Sequence, residues 1–245
     1  VRHRGHESND FFIVETQLAI ERLLESTFAV RSVLVTPKRL EALGAALQGT
    51  TAPIYVLPQA QMAEVVGFDL HRGALASAAR PPQLSVADIA TTAHSLLVVE
   101  ACNDHSNLGA MARAARALGV DALLLDSTCA DPWYRRSVRV SMGELLRIPV
   151  ARCGLLAPAL DGLHSHGFET WALTPDPSAV SIWALPVPAK VALLVGAEGP
   201  GLRDSTQAAA TRRVRIPMHG GVDSLNVGHA AAVAMAALRR DTVTS

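Results

Sequence analysis

Residues 215 to 238, RIPMHGGVDSLNVGHAAAVAMAAL, place His219, Gly220, Gly221, Asp223, Ser224 and Asn226 immediately before a run of small apolar residues. Ile216, Pro217 and Met218 leave a strand pattern, the glycines give a flexible turn, and the polar groups stand where a helix should begin. Unpaired N–H groups and the positive end of the helix dipole gather at such a start, so it can hold polar or anionic ligand atoms. Ser224 could also be a simple N-cap. The helix that follows is dominated by Ala and Val, so other backbone can approach it closely.

Two further loops combine special backbone with polar side chains. One follows SLLVVEA and reads CNDHSNLGAMARAARALG. Asn107 can cap the helix beside it, Gly109 keeps the first turn open, and Arg113 follows six positions on. A plain capped helix with a solvent-facing Arg has the same spacing. The other follows VALLVG and reads GAEGPGL, with Gly196, Gly199 and Gly201 around Glu198. Glycines permit positive φ and close approach of backbone to a ligand, and a carboxylate among them can accept hydrogen bonds. The spacing is that of a dinucleotide fingerprint reversed, with no acidic partner about 20 residues on, so an ordinary strand-to-helix turn fits as well.

The elements that must position these loops alternate. RSVLVT, APIYVLP and GALASAA read as strands, with helical patterns over residues 13–26 and in QAQMAEVVG. ARPPQLSVADIATTAH, with its Pro pair, reads as a linker and sets a domain boundary near residue 90. Beyond it SLLVVEA, DALLLD, ETWALTP, VALLVGA and RRVRIP are strands, most of them followed by a helical pattern. Continuous apolar strands between helices imply a parallel sheet covered on both faces, and in such sheets ligands bind beyond the carboxyl ends of the strands.

Composition removes several function classes. The 245 residues hold 22 Lys plus Arg and 22 Asp plus Glu, so a nucleic-acid site must be local rather than a global basic excess. The longest apolar run near the C-terminus, Ala230 to Leu238, falls well short of the roughly 20 residues that cross a bilayer, and the start has no apolar signal core. Cys102, Cys129 and Cys153 form no CxxC pair, and nine His with three Cys show no ligand-spaced cluster. A soluble cytoplasmic protein without a metal is expected.

Taken in order, NLGAMARAARALGVDALLL, LLVGAEGPGL and IPMHGGVDSLNVGHAAAVAM resemble the three motifs of the SpoU/TrmH family of RNA ribose methyltransferases, within the SPOUT superfamily. The likeness spans about residues 95 to 240, and RVSMGELLRIPV resembles the family's small-residue helix before a further strand. It implies a parallel-sheet α/β SPOUT methyltransferase domain whose C-terminal segment forms a deep trefoil knot. It implies S-adenosyl-L-methionine as cofactor, held by Gly196, Glu198, Gly199, Ile216, Met218 and Leu225. Asn107, Arg113, Glu198, Ser224 and Asn226 become the catalytic set, with Arg113 as a phosphate clamp and orienter, since its guanidinium stays charged. The chain departs from the family at Gly228, where many relatives have Ser, and at the following His229.

Residues 8 to 82, from FFIVET to HRGALASAARPP, are similar to the L30e-like domain that precedes many of these enzymes. The resemblance implies residues 1–82 as an L30e-like RNA-binding domain, 83–94 as a linker and 95–245 as the methyltransferase domain. Charge alone would not single out an RNA-binding region there, since residues 1–90 carry eight basic and nine acidic side chains. Arg2, Arg4, Arg72 and Arg80 are the candidate RNA contacts. An RNA partner, ribosomal RNA ahead of transfer RNA, and a homodimer are the family's further implications. A base-nitrogen methylase, a non-catalytic RNA-binding scaffold and, more remotely, a nucleotide-dependent oxidoreductase are the competing readings.

Overall fold

A computed structural model of the chain describes residues 10–66, 73–220 and 222–239. The chain divides into two compact units, one of residues up to Pro82 with Asp131–Arg147, the other of Gln83–Ala130 with the residues from Ile148 on.

The first unit opens with β1 (Phe11–Glu15), α1 (Gln17–Leu24), β2 (Val30–Val35), α2 (Pro37–Leu47), β3 (Ile54–Val56), α3 (Gln59–Val66) and β4 (Ala74–Ala79). The sheet order is β1-β4-β2-β3, antiparallel except for the β2–β3 pair. The helix expected over residues 13–26 is shorter than its apolar pattern. FFIVE alternates with period two, and pairing with β4 buries Phe12 and Val14 opposite Ala78 and Ala76. Thr16, at φ 85°, then breaks the strand and caps α1 by accepting the Ala19 N–H at 3.4 Å.

The stretch expected to be a linker carries structure. Helix α4 (Val86–Ala90) starts in a capping box, in which Ser85 accepts the Asp88 N–H at 3.3 Å and Asp88 accepts the Ser85 N–H at 2.7 Å. Ile89 and Ala90 are buried in the core of the second unit. The chain continues through β5 (Ser95–Val99), α5 (His105–Ala117) and β6 (Ala122–Leu125).

Residues 131–147 then group with the first unit, although a contiguous reading places them in the second domain. They form α6 (Arg135–Val140) and a 3-10 turn at Glu144–Arg147. Trp133 packs on Phe28 and Phe12, with ring centroids 5.2 and 5.6 Å apart. Val138 and Leu146 join the same core, and the buried Glu15 accepts a charged hydrogen bond from Arg139 at 2.5 Å. Gly143, at φ 84°, lies so close to α1 that a Cβ would stand 3.0 Å from the Ala19 Cα.

The second unit is completed by β7 (Val150–Arg152), α7 (Leu156–Ser165), β8 (Glu169–Leu173), β9 (Val180–Ser181), β10 (Val191–Val195), α8 (Asp204–Ala209), β11 (Arg212–Arg215) and α9 (Val227–Leu238). Its seven strands are all parallel, in the order β7-β6-β5-β10-β8-β11-β9. Leu96 and Val98 of β5 pack with α4 and α7, while Leu97 and Val99 point the other way and are equally buried. That two-sided burial is why these strands are continuously apolar. Helix α9 packs on α5 and β10.

Trp133 supplies one side of the aromatic cluster in the first unit, so Trp133→Ala should destabilise that unit by about 3 kcal/mol. Hydrogen exchange should show protection falling in β1 and β4 and holding in β10. Equal loss in β10 would show that residues 131–147 do not belong energetically to the first unit.

Candidate active site

Strands β5 and β10 are neighbours in register, Val99 beside Val195, and the Glu100 N–H donates to the Val195 carbonyl at 2.9 Å. Their carboxyl-end loops therefore leave the sheet side by side. The β5 loop leads into α5, whose N-cap is Asp104 rather than Asn107, its carboxylate accepting the Asn107 N–H at 2.8 Å. Asn107 sits inside the first turn, which frees its amide to donate to Glu198 Oε2 at 2.9 Å.

The third loop supplies Asn226, which is the N-cap of α9 in place of Ser224. Its Oδ1 accepts the Gly228 and His229 N–H groups at 3.0 and 3.3 Å. With that oxygen occupied, Nδ2 is turned to donate to Asn107 Oδ1 at 3.1 Å, and it lies 3.5 Å from Glu198 Oε1. Asn107, Glu198 and Asn226, distant in sequence, thus form one hydrogen-bonded group. Ser224 stands just before it, exposed.

The loop after β10 closes on itself. The Gly201 N–H donates to the Ala197 carbonyl at 3.0 Å, and a Cβ on Gly196 would lie 2.0 Å from the Gly201 carbonyl carbon. Gly196 is therefore required by the loop's own backbone. Gly199 and Gly201 have φ of 90° and 73°, a region that L side chains rarely adopt, and a Cβ on Gly199 would meet nothing within 4 Å. Bare backbone thus faces open space.

That space is a cleft of about 220 Å³ between the second and third loops and the end of β8. It is lined by Gly196, Glu198, Gly199, Ile216, Met218 and Leu225, with Ser224 and Asn226 at the same wall. Apolar walls beside bare backbone and a few convergent polar groups suit a small organic ligand. Asn107 reaches this wall through Glu198. Arg113 does not line the cleft. It is exposed on α5, six residues or about 120° round the helix from Asn107, with no hydrogen bond or ion pair among the described residues.

Of the four Arg side chains expected to contact RNA, Arg2, Arg4 and Arg72 lie outside the described residues. Arg80 is held in the first unit by Asp131, with contacts of 2.6 and 3.2 Å to its two carboxylate oxygens. The sequence reading missed Glu100 and Asp126, each the first residue after a buried strand and itself fully buried. The available signal was an acid ending an apolar run, in VVEA and in LLLD. Burial raises the Asp126 carboxyl most, but hydrogen bonds from the Ala101 N–H, Thr128 and Cys129 outweigh it and hold the group below the ordinary carboxylate range.

Nucleophilic thiol chemistry is disfavoured here, because burial pushes Cys102 and Cys153 up to about 11 and Cys129 higher still. Among the described residues no three His, Cys, Asp or Glu side chains gather in a way that could hold a metal, and no helix is long and apolar enough to cross a membrane.

The fold has close relatives in known structures. An S-adenosylmethionine-bound rRNA methyltransferase from Sinorhizobium meliloti superposes with a TM-score of 0.81 at 21% identity, over 94% of this chain and 87% of that one. An RNA 2'-O ribose methyltransferase superposes with a TM-score of 0.76 at 26% identity, over 95% and 89%. The fold is that of the SPOUT class of α/β methyltransferases. The sequence model of the SpoU rRNA methylase family matches residues 94–236, more than half of the chain. An uncharacterised tRNA/rRNA methyltransferase of Mycobacterium tuberculosis is 44% identical over 225 residues, 91% of this chain and 78% of that one. The Bacillus subtilis 23S rRNA (guanosine(2553)-2'-O)-methyltransferase RlmP is 28% identical over 93% of this chain and 88% of its own. The chain belongs to the SpoU rRNA methylase family.

Gly196→Ala should force the loop after β10 apart, since the added carbon would collide with backbone rather than with a movable side chain. A cost of about 1 to 3 kcal/mol is expected, lowering the thermal midpoint by about 2 to 10 °C. Gly154→Ala, at a glycine with nothing within 4 Å of its Cβ and φ outside the left-handed region, is the control and should leave the midpoint in place.

Proposed function

We propose that this protein is an S-adenosylmethionine-dependent RNA methyltransferase that methylates a ribose 2'-hydroxyl, in ribosomal RNA. The observation that carries the reading is the Asn107–Glu198–Asn226 group at the wall of a cleft with bare glycine backbone. Family membership supports the RNA substrate, and the likeness to a 23S rRNA 2'-O-methyltransferase over nearly the whole chain favours ribosomal RNA. The three free cysteines suit a reducing cytoplasm.

Ile216, Met218 and Leu225 would hold the flat part of the cofactor, with Gly196, Glu198 and Gly199 beside it. When bound, S-adenosylmethionine supplies an electrophilic methyl on a sulfonium. The chain's own task is to align a ribose hydroxyl in line with that methyl and to hold its phosphate, and alignment alone lowers the barrier considerably. Glu198 is oriented by two amides, and its charge faces the cleft where a cationic ligand group is favoured. Ser224 and Asn226 stand at the start of α9, where a polar substrate atom is also stabilised. Arg113 is the phosphate clamp, suited to it by a planar, permanently charged guanidinium.

The outward position of Arg113 leads to a site completed by a second copy of the chain. Its helix face also exposes Ala110 and Ala117, and α9 exposes His229, Val233 and Ala236 at helical spacing. Small residues on two packed helices allow close approach of another protomer. We propose a homodimer on this face, with the C-terminal segment from residue 216 to 239 threaded as the family's trefoil knot.

Arg113→Ala should leave the calorimetric affinity for S-adenosylmethionine near normal and lower single-turnover methylation about a hundredfold or more, since each factor of ten is roughly 1.4 kcal/mol of barrier. Mass-spectrometric mapping of total RNA with and without the protein should show the product as a 2'-O-methyl in ribosomal RNA. A product in transfer RNA would correct the substrate, and a methylated base would overturn the ribose assignment.

Mixing inactive Arg113→Ala with inactive Asn226→Ala protein should restore activity, because one site of each mixed dimer then has an intact Arg113 and an intact cleft. Light scattering of the unmixed protein should give the dimer mass. A fully active monomer, or no restoration after verified exchange, would sink the composite site.

A further inference from the structure

We propose that Glu100, Asp126 and Arg203 form a positioning lock that sets Glu198 against Asn107, an inference that rests on the methyltransferase reading above. None of the three lines the cleft, yet together they fix the loop after β10, which does, and the loop after β5, which leads to Asn107. Glu100 Oε2 accepts the Arg203 backbone N–H at 2.7 Å. Its Oε1 accepts the Thr206 hydroxyl at 2.6 Å and Arg203 Nη1 at 3.2 Å. The same Nη1 lies 3.3 Å from Asp126 Oδ2, and Nη2 donates to the Thr128 hydroxyl at 3.3 Å. One guanidinium thus serves two carboxylates that are both fully buried.

Buried charges are costly unless paired and hydrogen-bonded, so a single cation shared by two of them leaves little freedom to move. Asp126 Oδ1 also accepts the Ala101 N–H at 3.1 Å, and Ala101 has φ 55°. The turn between β5 and α5 is therefore held in an unfavourable conformation by the carboxylate that faces Arg203. The chain path to Asn107 depends on Asp126, and the return path from Glu198 depends on Glu100. Arg203 ties the two together. The 2.9 Å Asn107–Glu198 contact lies between these anchors.

A lock that acts through that contact has a signature that general loosening lacks. Single-turnover methylation at saturating S-adenosylmethionine and RNA would be measured for the wild type, Arg203→Ala, Arg203→Lys, Asn107→Ala and the Arg203→Ala/Asn107→Ala double variant. Arg203→Ala, which keeps the backbone N–H but removes the guanidinium, should lose about tenfold or more in the rate, and Arg203→Lys, which restores a positive charge, should recover part of it. The double variant should be no slower than Asn107→Ala alone, because the lock's target is already gone. Multiplied losses in the double variant, or a wild-type rate in Arg203→Ala, would overturn the lock while leaving the enzyme reading intact. A wild-type chain that transfers no methyl group would instead overturn that reading. Should Arg203→Ala not fold, Glu100→Gln replaces it in the same cycle with the same expected outcomes.

Discussion

The parallel pairing of β5 with β10 is the constraint on which the site depends. In the seven-stranded sheet β10 lies between β5 and β8, although it follows both in the chain. The order of strands therefore reverses between β5 and β10, and a crevice opens at their carboxyl ends. With Val99 beside Val195, the loops bearing Asn107 and Glu198 emerge at one level. A shift of either strand by one residue would turn every side chain to the other face and separate the two groups. The third loop reaches the same point from β11, two strands away from β10, passing the end of β8 on its way.

Capping chemistry and site chemistry share atoms here. Asp104 caps α5 so that Asn107 is left free, and Asn226 caps α9 with its oxygen so that its nitrogen must face Asn107 and Glu198. Helix formation thereby preorganises the polar group without a separate scaffold, which is how a site avoids reorganising during the reaction. Buried carboxylates at the ends of β5 and β6 add stiffness beneath it.

Much of this was legible in the sequence. The strands SLLVV, ALLL and VALLV announce themselves because burial on both faces demands unbroken apolar runs. The residues expected at the cofactor cleft all line one cavity, since each motif sits directly after a strand and the parallel sheet gathers strand ends. What stayed hidden was tertiary. Which polar residue caps a helix depends on where its rivals find partners, so Asn107 and Ser224 read as caps until Asp104 and Asn226 were seen in place. Ile13, Val14 and Glu15 read as the start of the helix because so short a stretch fits either period until its pairing with β4 is known. The affinity of residues 131–147 for the first unit has no local signal, because Trp133 looks the same whichever core receives it.

That last feature bears on synthesis. A ribosome delivers the chain from its N-terminus, and most domains can close as soon as their last residue emerges. The first unit cannot, for Trp133 of its aromatic cluster and Arg139, the partner of Glu15, are encoded some fifty residues after Pro82, beyond two strands of the other unit. Its exposed half-core must wait while β5 and β6 are made, so the two units mature together rather than in turn. A gene-level cut at the Pro pair would consequently release a fragment lacking its own keystone, and grafting this module elsewhere requires carrying both of its pieces.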